Sequence, residues 1–321
     1  ESAKGKLRLD VSEATGPMAE LAKLAAILDC DLTPTDIREV ALHFEQNGNA
    51  LGAVRVSGPF SAANMEGKLK VELSSIDRRV LNLFGAAQGF DFNSTVINST
   101  NLIQTAPALT TVSISGNLAV NNLSLTKENT KQTTPILNVK SHYNVFLHRL
   151  DKAGVVKSLE LDATQNDKKV LQVSISEPMP ISWGGTSSAP ENATLQLAIT
   201  DLNLAAWKSF AGEIAPSGNV NATLNILAKQ AGKQLSIDLV SSINALSAQF
   251  GSNQISNADI ELKTKVTVAD MKKVSLASYS VQLSQAKQPA LTLSGSGTLD
   301  LESSDTDIKA NLDGALAQLF K

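Results

Sequence analysis

One short pattern is written three times along this chain, as Val54-Arg-Val-Ser-Gly58, Val173-Ser-Ile-Ser-Glu177 and Leu291-Thr-Leu-Ser-Gly295. Each copy follows an alternating segment and a polar turn. Each is followed by a second alternating strand: Leu69-Lys-Val-Glu-Leu73, Leu195-Gln-Leu-Ala-Ile199 and Ile308-Lys-Ala-Asn-Leu312. The second strands lead into short amphipathic stretches ending at Phe84, Phe210 and Phe320. Self-similarity at long period implies a fold built by adding copies of one unit. The unit here is made of strands. The sequence therefore predicts a mostly β protein of extended, curved antiparallel sheet units, groove- or taco-like, with a few short amphipathic capping helices. Three units are expected: 1–88 with helices over 17–28 and 77–87, 89–211 with a helix over 204–211, and 212–321. They form one continuous array rather than independent domains.

Period-two alternation is the dominant signal. In Leu137-Asn-Val-Lys-Ser-His-Tyr-Asn-Val-Phe-Leu147, one face carries Leu137, Val139, Ser141, Tyr143, Val145 and Leu147. Ile260–Val268 repeats the arrangement, with Glu261, Lys263, Lys265 and Thr267 pointing away. An 11-residue strand is roughly 36 Å long, about twice the usual length. Antiparallel hairpins are expected at Gln46-Asn-Gly-Asn49, Asp151-Lys-Ala-Gly154, Gln165-Asn-Asp-Lys168 and Lys229-Gln-Ala-Gly-Lys233. The alternation slips phase at Asn121-Asn122, which predicts a bulge. Gly295 and Gly297 lie on the apolar parity and leave a notch, the kind found where a sheet coils or something approaches closely. Helices are expected over Pro17–Leu28, over Asp77–Ala87 with Asp77 as cap, over Leu204–Ala211, and from Gly314 to Phe320. The Pro/Gly/Ser-rich loop Pro178–Asn192 reads as a flexible excursion.

Composition excludes several function classes. An apolar fraction of 42% is that of a globular protein, and a net charge of −3 offers no basic footprint for nucleic acid. A single cysteine, Cys30, excludes an intrachain disulfide framework. The chain opens directly into a strand-like segment with no signal peptide, and Glu20 and Lys23 interrupt its longest helical apolar stretch. A soluble fragment of a longer array is the expectation.

Catalytic motifs are missing. No serine has a glycine both two residues before and two residues after it, as a hydrolase elbow needs, and no Gly-Lys pair is followed by Ser or Thr. His142 and His148 share a strand face about 20 Å apart, too far for one metal. Ser284-Gln-Ala-Lys287 has the Ser-x-x-Lys spacing but falls in a hairpin turn, not on a helix. Asp305 and Asp307 lack the further oxygens that calcium prefers. The sequons at Asn93, Asn98, Asn192 and Asn221 are what chance gives in a chain rich in Asn, Ser and Thr. No enzyme activity, metal or cofactor is expected.

A one-sided apolar sheet packs on another sheet, packs on helices, or wraps something greasy. Helices are too few to cover it, which leaves a filled sandwich or a groove. Moving a methylene out of water contributes about 0.8 kcal/mol, so a 16-carbon acyl chain resists crossing water by roughly 12 kcal/mol. A trough of Leu, Val and Ile removes that barrier without a catalytic residue. The candidate lining in the first unit is Val54, Val56, Leu69, Val71 and Leu73. The second unit supplies Leu137, Val139, Val145, Leu147, Val173, Ile175, Leu195, Leu197 and Ile199. The third supplies Leu224, Ile237, Leu239, Ile260, Leu262, Val266 and Val268, then Val281, Leu283, Leu291, Leu293, Leu299 and Leu301.

The run Leu195-Gln-Leu-Ala-Ile-Thr-Asp-Leu-Asn-Leu, the Trp207–Phe210 helix and then Gly218-Asn-Val-Asn-Ala-Thr-Leu resemble the repeating pattern of AsmA-like bacterial envelope proteins. Leu291-Thr-Leu-Ser-Gly-Ser-Gly-Thr-Leu-Asp-Leu is similar, and the likeness runs from about Leu69 onward. The resemblance implies a periplasmic protein of a Gram-negative cell, tethered to the inner membrane by a segment absent from this sequence. It also implies a curved β-groove that binds or conducts phospholipid or other acyl-chain lipid in outer-membrane homeostasis, with inner- and outer-membrane envelope proteins as partners. The alternative is a structural or assembly factor for outer-membrane proteins, or an adhesin-like β scaffold with a filled core.

Overall fold

The computed structural model describes residues 2–127, 129–183, 192–210, 216–229, 233–250, 253–270 and 272–315. The chain is mostly β, as its alternation requires. It divides into two compact units, one comprising Glu1–Asp167 with Ile181–Ser187 and the other Lys168–Pro180 with Ser188–Lys321. The repeat boundaries expected near 88 and 211 fall inside these units, at the two short helical connections described below.

In the first unit the strands are β1 (Ala3–Asp10), β2 (Leu24–Thr33), β3 (Asp36–Gln46), β4 (Asn49–Ser61), β5 (Glu66–Asp77), β6 (Phe90–Asp91), β7 (Val96–Thr105), β8 (Thr111–Leu123), β9 (Thr126–Lys127), β10 (Gln132–Thr133), β11 (Leu137–His148) and β12 (Ala153–Gln165). Nine of them form one antiparallel meander, in the order β1-β2-β3-β4-β5-β7-β8-β11-β12. β6, β9 and β10 make a small separate sheet.

The second unit begins with β13 (Lys168–Ser174), and β14 (Met179–Ser182) follows at the division. Then come β15 (Asn192–Asn203), β16 (Ser217–Lys229), β17 (Gln234–Phe250), β18 (Asn253–Ala269), β19 (Lys273–Gln285), β20 (Gln288–Asp300) and β21 (Thr306–Gly314). From β13, and then β15 to β21, each strand pairs antiparallel with the next. Among the described pairings, neither meander closes on itself. β17 and β18 are 17 residues each, which matches the unusual length read from the alternation.

All three copies of the recurring motif join their second strands directly: Val54 opposes Leu73, Val173 opposes Leu197, and Leu293 opposes Leu312. Local turn chemistry sets the register. Asn47 (φ 52°) and Gly48 (φ 80°) form the two-residue turn that aligns Gln46 with Asn49. Ala286 and Lys287, both with positive φ, do the same between Gln285 and Gln288. That places the Ser-x-x-Lys spacing in a hairpin, as expected.

The bulge predicted at Asn121-Asn122 is present. Both residues oppose Asn138 alone, Asn122 turns to φ 52°, and its amide donates to Asn138 Oδ1 at 2.9 Å. The same construction recurs where Ser74-Ser75 oppose Asn98, Thr200-Asp201 oppose Asn221, and Asn244-Ala245 oppose Asp259. Each time the second bulged residue has φ between 50° and 52°, and its amide donates to the opposing Asx oxygen at 2.8–2.9 Å. A bulge adds local twist and bends its strand. Repeated at the same end of successive hairpins, it coils each meander in one sense.

The helical segments differ from expectation. Gly16–Leu21 is a 3-10 helix and β2 begins at Leu24, so the segment predicted as one helix over Pro17–Leu28 splits into a 3-10 turn and the start of a strand. β2 is paired on both sides, by β1 and β3, and that pairing overrides the helical spacing of its leucines and alanines. Helix α1 (Arg78–Gly85) starts as predicted, with Asp77 Oδ1 accepting the Arg79 amide at 2.8 Å. Its Phe84 does not pack inward but is 76% exposed. Leu204–Phe210 is a 3-10 helix. Gly314 ends β21, and the rest of the helix expected to Phe320 lies outside the described residues, apart from Ala315.

Candidate apolar face and its closed end

Residues directly opposite in antiparallel strands share a face, so register alone assigns each side of the sheets. In the second unit one row runs Val173, Leu197, Leu224, Leu239, Thr264, Tyr279, Gly295, Ala310. Beside it run Ile226, Ile237, Val266, Leu276, Gly297, Ile308 and, on the other flank, Ser241, Leu262, Val281, Leu293, Leu312. Leu195, Ile199, Ile260, Val268, Leu283, Leu291 and Leu299 extend these rows on the same face. The other face carries ion pairs such as Lys265 with Asp238 at 3.3 Å.

The first unit repeats the division. Leu7, Leu28, Leu42, Val54, Leu73, Ser99, Leu118, Ser141 and Leu161 form one row across all nine strands. Val56 and Val71 belong to the row beside it, with Cys30, whose thiol donates to Gly5 O at 3.5 Å. Leu69 and Val145 lie beyond that row, Leu147 further out, and Val139 and Leu137 toward the opposite end. The reverse face is charged, with Lys4–Asp31 at 2.9 Å and Arg8–Glu45 at 2.7 Å.

The sequence-predicted lining therefore falls on one face of each sheet, with two exceptions. Ile175 lies past the end of β13, and Leu301 lies in the turn after β20, 50% exposed. Both follow the alternation by parity, but the strands stop before them. Of the rest, none is fully buried: all are intermediate in exposure. A face pressed against a second sheet would be sealed, because protein interiors pack without gaps.

Both tyrosines of the chain oppose a glycine, Tyr143 facing Gly116 and Tyr279 facing Gly295. The Tyr279 ring occupies the notch that the glycines of β20 leave, coming within 2.8 Å of where a Gly295 Cβ would stand. Such rescue of a strand glycine by a cross-strand aromatic fixes register. Tyr143 also donates to Asn101 Oδ1. With Asn101 Nδ2 donating to Ser99 Oγ at 2.8 Å, and Ser141 Oγ to Glu160 O at 2.9 Å, it forms a satisfied polar island within the apolar rows.

One end of the first unit is closed. Leu21, Leu24, Leu51, Ile76 and Val80 form its buried core, packed against Phe44, Val54, Leu73 and Ile97 from the sheet. Asn82 on α1, 2% exposed, locks this plug. Its Nδ2 donates to Glu20 Oε1 at 2.6 Å and Asp91 Oδ1 at 2.9 Å, and its Oδ1 accepts the Phe92 amide at 2.9 Å. Arg78 bridges the two carboxylates at 3.0 and 3.2 Å. Desolvation pushes the Asp91 carboxyl up, but hydrogen bonds from Asn82 and the Asn93 amide, with the Arg78 charge, overcome it and hold the group below its ordinary value near 3.8. Asp77 is lowered likewise: desolvation opposes, and the Arg79 side chain and amide prevail.

Sequence reading missed both the clamp and three of the four bulges closed by an opposing Asx side chain. The bulge signal was present: apolar parity slips between Leu73 and Ile76, between Ile199 and Leu202, and between Ile243 and Leu246, as it does at Asn121-Asn122. Asn98 and Asn221, set aside as chance sequons, are two of the clamping residues. His142 is exposed and bonded to Asn117 Oδ1, and His148 Nδ1 lies 3.0 Å from Asp151. Among the described residues no cluster of three or more His, Cys, Asp or Glu could hold a metal, and no helix is long and apolar enough to cross a membrane. The chain matches no family model, no curated protein and no solved structure.

Proposed function

We propose that the apolar faces hold lipid acyl chains, and that the protein binds or conducts phospholipid in the bacterial envelope, in the manner of the AsmA-like proteins its repeats resemble. One observation carries this reading: apolar rows cross every strand of each meander, yet none of the apolar side chains named in them is sealed from solvent. Burying a 16-carbon chain against such a surface offsets roughly 12 kcal/mol of hydration cost, and it requires neither a titratable cluster nor a cofactor. Periplasmic localisation and a tether to the inner membrane belong to the same proposal.

Lipid extraction and native mass spectrometry of protein purified from membranes test it. Co-purifying phospholipid is expected, and replacement of Val145, Leu262 or Leu293 by Asp should abolish it. Lipid content unchanged in these variants overturns the reading and favours a scaffold whose interior is filled by its own side chains.

A further inference from the structure

β1 and β21 are outermost strands of their meanders, and among the described pairings each is joined on one side only. Both ladders run without a bulge or a proline, and every residue of both strands is exposed. Such an edge offers a row of unpaired amides and carbonyls to another strand, and proteins guard it with charge. β1 is guarded. Lys4, Lys6 and Arg8 project from one face of it, already paired with Asp31 at 2.9 Å, Asp29 at 3.4 Å and Glu45 at 2.7 Å. Antiparallel pairing of β1 with itself over six or more residues, keeping Leu7 and Leu9 on a shared face, has two registers. One sets Lys6 against Arg8 and the other Lys4 against Arg8.

β21 lacks this protection. Asp307, Lys309, Asn311 and Asp313 alternate along it with Ile308, Ala310 and Leu312, which continue the apolar rows through Gly297, Gly295 and Leu293. Ile308 and Leu312 are 64 and 66% exposed. Among the described residues none of the four polar side chains has a hydrogen bond or an ion pair. The strand is self-complementary in charge about Asn311, with Lys309 two residues before it and Asp313 two residues after. Antiparallel self-pairing centred on Asn311 therefore sets Lys309 of each copy opposite Asp313 of the other, over the seven residues from Ile308 to Gly314. The two other self-registers of six or more residues that keep the apolar face shared are repulsive. One opposes Lys309 to itself, and the other opposes Asp307 to Asp313.

We infer that β21 is a dimerisation edge, which takes β21 of a second copy of this chain in antiparallel register about a two-fold axis at Asn311. Two Lys309–Asp313 pairs form on one face, and opposite charges directly across a ladder stabilise it. On the other face Leu312 lies opposite Ala310 and diagonal to Ile308 and Leu312 of the second copy, within reach of both. These contacts cover the two most exposed large apolar side chains described in the second unit. A two-fold axis normal to the sheet keeps every side chain on its own face, so the apolar rows of the two copies run on as one. A second copy fits better than a strand of another protein because β21 is complementary to its own sequence. Isologous pairing of this kind closes at two copies. The inference is independent of what the apolar face carries.

Sedimentation velocity on the full chain tests it. Wild-type protein should pass from monomer to dimer, and no further, as concentration rises. K309D and D313K each turn two attractive pairs into repulsive ones and should weaken the dimer at least about tenfold. The double variant K309D/D313K exchanges the signs, re-forms both pairs and should recover most of the loss, which a variant weakened by poor folding would not. A β21 edge that instead met β1 of another copy, with Lys6 opposite Asp313 and Asp10 opposite Lys309, would make the double variant the weakest and let assembly grow head to tail. In C30S/N311C, which leaves a single thiol per chain on the axis, diamide should cross-link two copies, while C30S/K309C should stay uncoupled. Protein that sediments as monomer at every concentration, a double variant no stronger than the single ones, or equal cross-linking from positions 309 and 311 overturns the inference.

Discussion

The Asp201 amide is clamped by Asn221 Oδ1, 2.9 Å away across the β15–β16 bulge, and the same relationship joins Ser75 to Asn98, Asn122 to Asn138 and Ala245 to Asp259. The bulged residue adopts a left-handed conformation that costs any side chain but glycine about 1 kcal/mol or more, and the side-chain oxygen compensates by satisfying the amide that the ladder abandons. Two opposite effects follow. Asn98→Ala or Asn221→Ala should lower stability by about 1 kcal/mol, the usual net value of such a bond. Ser75→Gly or Ala245→Gly should raise it by up to about 1 kcal/mol, by relieving the strained φ. Urea midpoints for the four variants check both signs; a loss on introducing glycine would show that the bulge is held by something other than backbone conformation.

Asn82 makes three hydrogen bonds from a position sealed from water, so its truncation leaves two carboxylates and an amide short of partners. Asn82→Ala should destabilise the first unit by about 2–4 kcal/mol. Exchange protection at α1 and β6 should fall with it, while β17 and β18 stay protected. Uniform loss across both units would contradict a local clamp.

Acid should loosen the same plug. Asp91 and Asp77 both titrate below 3.8 in the folded chain, so the unfolded chain binds more protons and stability falls as pH falls. Their contribution is complete above the ordinary carboxylate value and disappears as pH drops through the lowered folded values. Urea midpoints measured from about pH 5 to about pH 2.5 should decline, and Asp91→Asn should flatten part of that decline. An identical slope in the variant would exclude Asp91 as a source.

A Cβ at Gly295 would meet Lys309 O on one side and the Tyr279 ring at 2.8 Å on the other. Gly295→Ala should therefore cost about 1–3 kcal/mol and preferentially unpair β21, the exposed edge strand. Tyr279→Ala beside it should restore part of the loss. Exchange rates of the β21 amides report both.

Most of the architecture was legible because alternation, turn residues and strand length agreed over long stretches. Leu137–Leu147 and Ile260–Val268 declare their faces without help from the rest of the chain. Reading failed where long-range pairing outweighs local spacing. Leu21, Leu24 and Leu28 are spaced as on a helix, yet β1 and β3 hold the segment from Leu24 as strand. It also failed where a single polar residue acts through distant partners. Nothing local to Asn82 reveals that Glu20 lies beside it, 62 positions away in sequence.

The bulge clamps also bear on how such a chain can lengthen. Asn98 and Asn138 are 40 positions apart, and Asn221 and Asp259 are 38. Each interval spans two strands of its meander, the first carrying β9 and β10 as well, and each begins and ends on the same phase. Duplicating or deleting one interval would widen or narrow the sheet by a hairpin without turning any neighbouring side chain inside out. Ancestral growth and shrinkage of the protein could thus proceed in whole increments, each viable from the moment it arose.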